Sequence, residues 1–297
     1  MEEKMRTPLE RYHGRMQRVL DHVDAHADDA LDLETLAGIA AFSKHHFHRQ
    51  FSALFGVSVH RYVQLVRMKR ASYRLAYRPD KAVTDIALDA GYEAPEAFAR
   101  AFRQRFGQAP SAFRAAPDWQ PWHAALAPLT HARSQTMPPR FTPEDVTILA
   151  FPATPVALLS HRGDPARLGD TLRRFIAWRK LRGLRPPASA TYNIFHGDPR
   201  GAAPEAYRLD LCAGTAHPVA DPAHGIEPGL IPAGRCAMLR VIGQADDLEP
   251  AALFLYRDWL PASGEEPGDF PLFARRVTFF PDVPEDAAVT ELYLPLR

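Results

Sequence analysis

The sequence predicts a multidomain protein: an all-α N-terminal domain with two helix-turn-helix units, then an α+β C-terminal domain of two β-α-β-β repeats, antiparallel sheets with helices. Three observations carry this prediction. The apolar spacing changes from threes and fours to alternation near residue 145. A pattern in the first part recurs 50 to 51 residues on, and a different pattern in the second part recurs 80 residues on. The expected boundaries are a domain over residues 1–116, a proline-rich linker over 117–144 and a domain over 145–297.

Composition sets the class. Hydrophobic content of 46% with 24% charged residues is ordinary for a globular protein. No run reaches the roughly 18 apolar residues of a membrane span, and the first residues are too polar for a secretory leader, so the expected place is the cytoplasm, with no membrane partner. Cys212 and Cys236 stand apart, flanked by apolar residues, in no metal or redox spacing; no metal, no cofactor and no catalytic residue is expected. The net charge of +1 hides a division. Up to residue 116 there are 18 Lys and Arg against 14 Asp and Glu, and beyond it 18 against 21.

In chain order, Leu9, Tyr12, Met16, Val19, Leu20 and Val23 form one helical face. Asp32 can cap a helix over LETLAGIA, Ala41 and Phe42 turn the chain, and Ser43 is expected to cap a helix over KHHFHRQFSALF. A long helix follows from Arg61 to Tyr77. The earlier unit then returns. Leu36, Ala37, Ala41 and Phe42 recur 50 places on as Ile86, Ala87, Gly91 and Tyr92, while Phe47, Arg49, Phe51, Phe55 and Gly56 recur 51 places on as Phe98, Arg100, Phe102, Phe106 and Gly107. A helical core explains the repeated phenylalanines but does not demand the repeated arginine. Two equivalent surfaces joined by a rigid helix suit successive major grooves, which recur about every 34 Å along a duplex.

Residues 8 to 114 resemble the DNA-binding domain of AraC-family transcription regulators. The resemblance rests on S-K-H-H-F-H-R-Q-F at 43 to 51, F-G-V-S-V-H-R-Y at 55 to 62, I-A-L-D-A-G-Y at 86 to 92 and F-A-R-A-F-R-Q-R-F-G-Q-A-P-S-A-F-R at 98 to 114. It implies seven helices with two helix-turn-helix motifs, double-stranded promoter DNA as partner, and RNA polymerase nearby. The leading residues of a recognition helix enter the groove. The expected DNA contacts are therefore Lys44, His45, His48 and Arg49 in the first unit and Pro95, Glu96 and Arg100 in the second, with Arg103 and Arg105 nearer phosphate. Glu96 either accepts from a cytosine amine or weakens its half of the footprint. Two heads in one chain, with no coiled-coil seam, point to a monomer on DNA.

The 117–144 stretch shows no sustained period; Trp119 and Trp122 are expected to fold back onto a domain, and Pro138-Pro139 to stiffen its end. Beyond it, VTILAF, PVALLSH, ATYNIFH, AYRLDLCAG, GRCAMLRVIG, LFARRVTFF and VTELYLPL read as strands. ARLGDTLRRFIAWRKLRG and DLEPAALFLYRDWL read as helices. Leu159, Gly163, Leu168 and Phe175 align with Leu239, Gly243, Leu248 and Leu255 at the 80-residue offset, and the two halves are expected to leave a cleft between them.

This half resembles the GyrI-like (gyrase-inhibitor-like) small-molecule-binding domain of Rob-like regulators. The residues are I-F-H-G-D-P-R at 194 to 200, R-L-D-L-C at 208 to 212, I-P-A-G-R-C-A-M-L-R at 231 to 240, W-L-P-A-S-G at 259 to 264 and T-E-L-Y-L-P-L at 290 to 296. It implies a small-molecule effector held against aromatic walls, here Tyr192, Phe195, Tyr207, Tyr256, Trp259 and Phe273. Two departures matter. The glutamate that commonly follows the aromatic at Phe273 is Ala274, and the aromatic after Gly163-Asp164-Pro165 and Gly243-Gln244-Ala245 is absent. Neutral or anionic effectors then become plausible, with Arg240, Arg275 or Arg276 as partners. A different class of function, a small-molecule hydrolase or a sequestering protein with secondary DNA binding, would need a base in the cleft; Glu205, Asp210 and Glu291 are its candidates.

Overall fold

The computed structural model describes residues 7–135, 141–197, 204–243, 248–278, 282–283 and 287–297. The chain divides into two compact units, Met1–Arg140 and Phe141–Arg297. Pro138-Pro139 and Gln244-Ala245 lie outside the described residues.

The first unit is all helix. α1 (Pro8–Ala25) starts from a reciprocal cap between Thr7 and Glu10. α2 (Leu33–Ile39) starts where the Asp32 carboxylate accepts the amides of Glu34 and Thr35. The turn after α2 places Ala41 at φ 54°, and α3 (Lys44–Phe55) stops on Gly56 at φ 65°. α4 (Val59–Tyr77) joins the two heads, and the pattern repeats: α5 (Val83–Asp89), Gly91 at φ 80°, α6 (Pro95–Phe106), Gly107 at φ 74°, α7 (Pro110–Ala115).

The repeat extends into the core. Phe47, Phe51 and Phe55 stand 5.7 and 4.6 Å apart between ring centroids, and Phe98, Phe102 and Phe106 stand 5.5 and 4.7 Å apart. Each middle ring meets a further aromatic edge-on, Tyr62 at 5.8 Å and Phe113 at 5.3 Å. α4 is more than a spacer. Arg67 donates to the carbonyls of Ala27 and Asp29, Arg70 to that of Asp24, and Arg74 pairs with Asp28 at 2.7 Å before the first head and with Asp89 at 3.0 Å in the second.

The linker expectation needs correction, because residues 119–134 form α8 (Trp119–Ser134). Pro128 removes one helical hydrogen bond, yet Trp119, Trp122, Leu126, Leu129 and Ala132 all enter the core shared by α1 to α7. Burying two tryptophans and two leucines outweighs one proline. The Trp122 indole donates to the Ser72 hydroxyl at 2.6 Å, and Arg133 forms an ion pair with the buried Asp24. The two tryptophans do fold back; they do so as a helix.

The second unit holds one eight-stranded antiparallel sheet, ordered β1-β6-β8-β7-β3-β4-β2-β5. Its strands are β1 (Val146–Phe151), β2 (Thr154–Arg162), β3 (Thr191–Phe195), β4 (Arg208–Gly214), β5 (Glu227–Ile231), β6 (Gly234–Ile242), β7 (Phe273–Thr278) and β8 (Val289–Pro295). α9 (Leu168–Leu181) follows β2. After β6 a continuous helical run comprises α10 (Glu249–Leu253), a π-helical stretch Phe254–Trp259 and α11 (Leu260–Ser263). Two features depart from the repeat read in the sequence. β5 was not expected, and the halves exchange edges: β1 pairs with β6 of the second half and β5 with β2 of the first. The halves fuse through β3 and β7 into a single sheet.

Register shows which face the helices cover. Leu159, Leu211, Asn193, Ala274, Leu292 and Leu239 are successive cross-strand partners, so they share a face. Phe175 and Trp178 of α9 pack on the first-half end of that row. Ala251, Leu255 and Trp259 pack on the second-half end. The opposite face curls around its own aromatic cluster of Phe151, Tyr192, Phe273 and Tyr293.

Candidate nucleic-acid interface and effector site

α3 turns Phe47, Phe51 and Phe55 inward, which leaves Lys44, His45, His48 and Arg49 on the solvent side, all exposed. α6 does the same with Phe98, Phe102 and Phe106, exposing Glu96, Arg100 and Arg103; Pro95 is half-buried. Lys44, Arg49, Arg100 and Arg103 form no ion pair among the described residues. Free cations on two equivalent helices suit an extended polyanion. The helix starts differ, however. Ser43 precedes α3 without the side-chain cap hydrogen bond expected of it, and α3 begins directly with Lys44 and His45. Pro95 and Glu96 occupy the first positions of α6 behind Ala94, which provides no side-chain cap. A proline fits the first helical position, and an acid there complements the helix dipole.

In the second unit the six aromatic candidates do not converge. Tyr192 and Phe273 lie in the cluster on the helix-free face. Tyr207 is buried beneath α9, Trp259 belongs to the packing beneath α10 and α11, and Phe195 touches both of those clusters. Tyr256, on the π-helical stretch, is exposed. Strand parity carried part of this signal: Tyr192 and Phe195 are three residues apart on one strand, which sets them on opposite faces. Phe151 and Tyr293, outside the six aromatic candidates, complete the helix-free cluster.

Between the two helix-covered ends of the sheet runs a polar seam. Thr191, Arg276 and Thr290 are cross-strand neighbours beside Asn193 and Ala274. Arg276 donates to the Asn193 side-chain oxygen at 2.8 Å and to the Thr290 hydroxyl at 3.2 Å. Arg179 of α9 reaches the same seam through the Thr191 hydroxyl at 2.6 Å, and its burial lowers its pKa to about 10. Near Ala274, where the family resemblance expects a carboxylate, the charges of the seam, Arg276 and Arg179, are cationic. Arg240 and Arg275 sit on the other face, each 3.7 Å from Glu291, whose carboxylate also accepts the Tyr293 hydroxyl at 2.8 Å.

Two of the three candidate bases, Asp210 and Glu291, are otherwise engaged. Burial alone would raise the Asp210 carboxyl, but hydrogen bonds from Arg208, Ser160 and His196 together hold it below the usual carboxylate range. Glu291 is held between two arginines. Glu205 is exposed in a single turn before β4. Burial pushes the Cys236 thiol up to about 11 and the Cys212 thiol further, so neither supplies a thiolate at neutral pH. Among the described residues no group of acids, histidines and cysteines could hold a metal, and no helix is long and apolar enough to cross a membrane.

Two helix-turn-helix heads on one frame, with exposed basic residues at matching places, define a DNA-binding protein, and it carries a second α+β domain. The GyrI-like small molecule binding domain model matches residues 144–297, and a helix-turn-helix domain model matches residues 36–116. The chain belongs to the GyrI-like family, with an AraC-type helix-turn-helix domain at its N-terminal side. It is 38% identical over 153 residues to the probable transcriptional regulator YgiV of Escherichia coli K12, spanning 51% of this chain and 96% of that protein. It is 32% identical over 108 residues to the right origin-binding protein of the same organism, spanning 36% of each. Among solved structures, the EcmrR–DNA complex aligns over 86% of this chain and 82% of that one, at 12% identity and a TM-score of 0.43. The protein is a DNA-binding transcription regulator with a GyrI-like domain.

Proposed function

We propose that this regulator binds one asymmetric duplex site as a monomer, α3 and α6 entering successive major grooves, and that its GyrI-like domain senses a small hydrophobic molecule of neutral or anionic character. It would work in the cytoplasm, at promoters where RNA polymerase binds. The observation that carries the DNA half is the duplicated frame, with Arg49 and Arg100 exposed at equivalent places. The effector half rests on the seam of Thr191, Asn193, Arg276 and Thr290 between two apolar clusters, with Ala274 where a carboxylate would attract cations. An apolar body would lie against Phe195 and Trp259 and an oxyanion or carbonyl against the seam.

Fluorescence anisotropy on promoter DNA tests the first half: tight binding, lost on scrambled sequence and weakened by Arg49→Ala, is expected. Equal binding to both duplexes, unchanged in the variant, would sink it. Thermal shift of the full chain tests the second. Aromatic carboxylates and neutral aromatics should raise the Tm while quaternary ammonium dyes of similar size do not; the reverse ranking would refute the proposed effector class.

A further inference from the structure

The first unit holds a cleft of about 530 Å³ along α4, a volume in the range of small-molecule pockets. Leu31, Leu33 and Leu36 of the first head and Val59 and Val63 of α4 line it with aliphatic surface, and Gly91 and Tyr92 bring the turn of the second head to it. From Val59 to Arg67 the lining runs about 12 Å along the helix. Its electrostatics have one sign. Among the described residues no carboxylate lines the cleft, and Arg67 supplies its permanent charge. Asp32, between Leu31 and Leu33, turns its carboxylate onto the amides of Glu34 and Thr35 and the Thr35 hydroxyl; Glu93, next to Tyr92, is exposed and outside the lining. Arg67 is held in place. Its Nε donates to the Ala27 carbonyl and its Nη2 to that of Asp29, both at 2.7 Å. Its Nη1 lies against Gly91, so close that a β-carbon there would stand 2.5 Å away. That nitrogen has no protein partner among the described residues and is open to solvent.

A guanidinium fixed by two carbonyls, its third nitrogen unpartnered beside aliphatic walls, suits a ligand with an anionic head and an apolar body. We propose that the cleft binds an apolar monocarboxylate, the carboxylate accepting from Arg67 Nη1 and the body lying against the leucines and valines. A cation would meet no counter-charge in the lining, and a neutral molecule would gain burial alone. This site is separate from the polar seam of the GyrI-like domain and does not rest on it. His48 also lines the cleft while standing on the exposed side of α3. A bound carboxylate and a DNA duplex would therefore share that residue, and each should lower the other's affinity by the same factor. The coupling rests on His48 as a DNA contact; the site itself does not.

The test uses 2-naphthoate as probe and 2-naphthamide, of the same shape without the charge, as control, both on the full chain. Hydrogen exchange read by mass spectrometry reports the turn over residues 88–92, so the concentration that half-protects it gives the affinity at this cleft alone. 2-Naphthoate should protect the turn at a concentration about tenfold or more below that of the amide. Arg67→Gln should remove the difference. Because Arg67 also holds the Ala27 and Asp29 carbonyls, Val63→Phe, which fills the cleft and has no side-chain hydrogen bond to lose, gives a second route. It should abolish protection of the turn and leave any protection over residues 273–278 as in the parent. Protection confined to residues 273–278 in the parent, equal protection by the two probes, or protection that survives Val63→Phe would overturn the site. For the coupling, saturating 2-naphthoate should weaken promoter binding in the parent and not in Val63→Phe. An unchanged promoter affinity in a parent whose turn is protected would overturn the coupling alone.

Discussion

The two heads share a frame and differ at its surface. Their turns carry the same pair of hydrogen bonds, Ala41 to Gly38 and Phe42 to Ala37 against Gly91 to Leu88 and Tyr92 to Ala87, all between 2.9 and 3.1 Å. Their phenylalanine ladders have nearly the same spacings. Yet the first head begins its exposed helix with Lys44, His45, His48 and Arg49, and the second with Pro95 and Glu96 before reaching Arg100. Core positions must fill the same volume, so they repeat; surface positions answer to separate stretches of ligand, so they diverge. We propose that the first head reads bases and that the second holds position, its leading residues serving the start of its own helix.

The strongest way to test the shared frame is through the cores. Phe51→Ala and Phe102→Ala should each cost about 3–5 kcal/mol of stability in urea denaturation. Losses that differ by more than about 1 kcal/mol, which is large beside typical mutational effects, would show that one head supports the other. Next comes DNA affinity: Arg49→Ala should cost about 1–3 kcal/mol on the preferred duplex and relax its preference, while Arg100→Ala weakens all duplexes alike. Equal loss of preference in both variants would erase the proposed division of labour. Glu96→Gln sharpens the same point. It should tighten binding to every duplex; weakening confined to one base pair would instead make Glu96 a cytosine acceptor.

The turns give a smaller effect of opposite sign. Ala41 occupies the left-handed region at φ 54°, where Gly91 stands in the second head. Ala41→Gly should raise stability by up to about 1 kcal/mol, and Gly91→Ala should lower it by about 1–2 kcal/mol and displace Arg67, both read from thermal melts. The smallest effect belongs to the other unit. Asp221 accepts hydrogen bonds from Arg182, His224 and the Trp178 indole, which hold its carboxyl far below the usual range. A lowered folded-state pKa contributes stability that is complete above the unfolded value near about 4 and is lost as pH falls through the folded value. Asp221→Asn should therefore flatten the acid limb of the second unit's stability below about pH 4, while on the neutral plateau the variant and the parent differ by a constant.

Much of the first unit was legible from residues alone. Helical period, the capping Asp32, Gly56 and Gly107 are local signals, and a 50-residue offset that repeats an arginine exceeds what packing demands. Trp119, Trp122, Leu126 and Leu129 also keep helical spacing, but the prolines among them concealed α8, whose stability comes from the core it covers. The candidate effector site was less legible. A resemblance supplied aromatic residue types, and parity could have separated Tyr192 from Phe195, but alternation does not say which face a helix will cover.

The sequence by itself determined the two units, the double head and the duplicated strand pattern, because period, caps and repeats are written in neighbouring residues. Tertiary structure alone decided that α8 docks on the first unit and that β1 and β5 exchange halves. It likewise set Arg276 in the seam beside Ala274 while Arg240 and Arg275 meet Glu291 on the other face. Those outcomes depend on cross-strand register and on apolar area buried between residues far apart in the chain, and no local pattern encodes either.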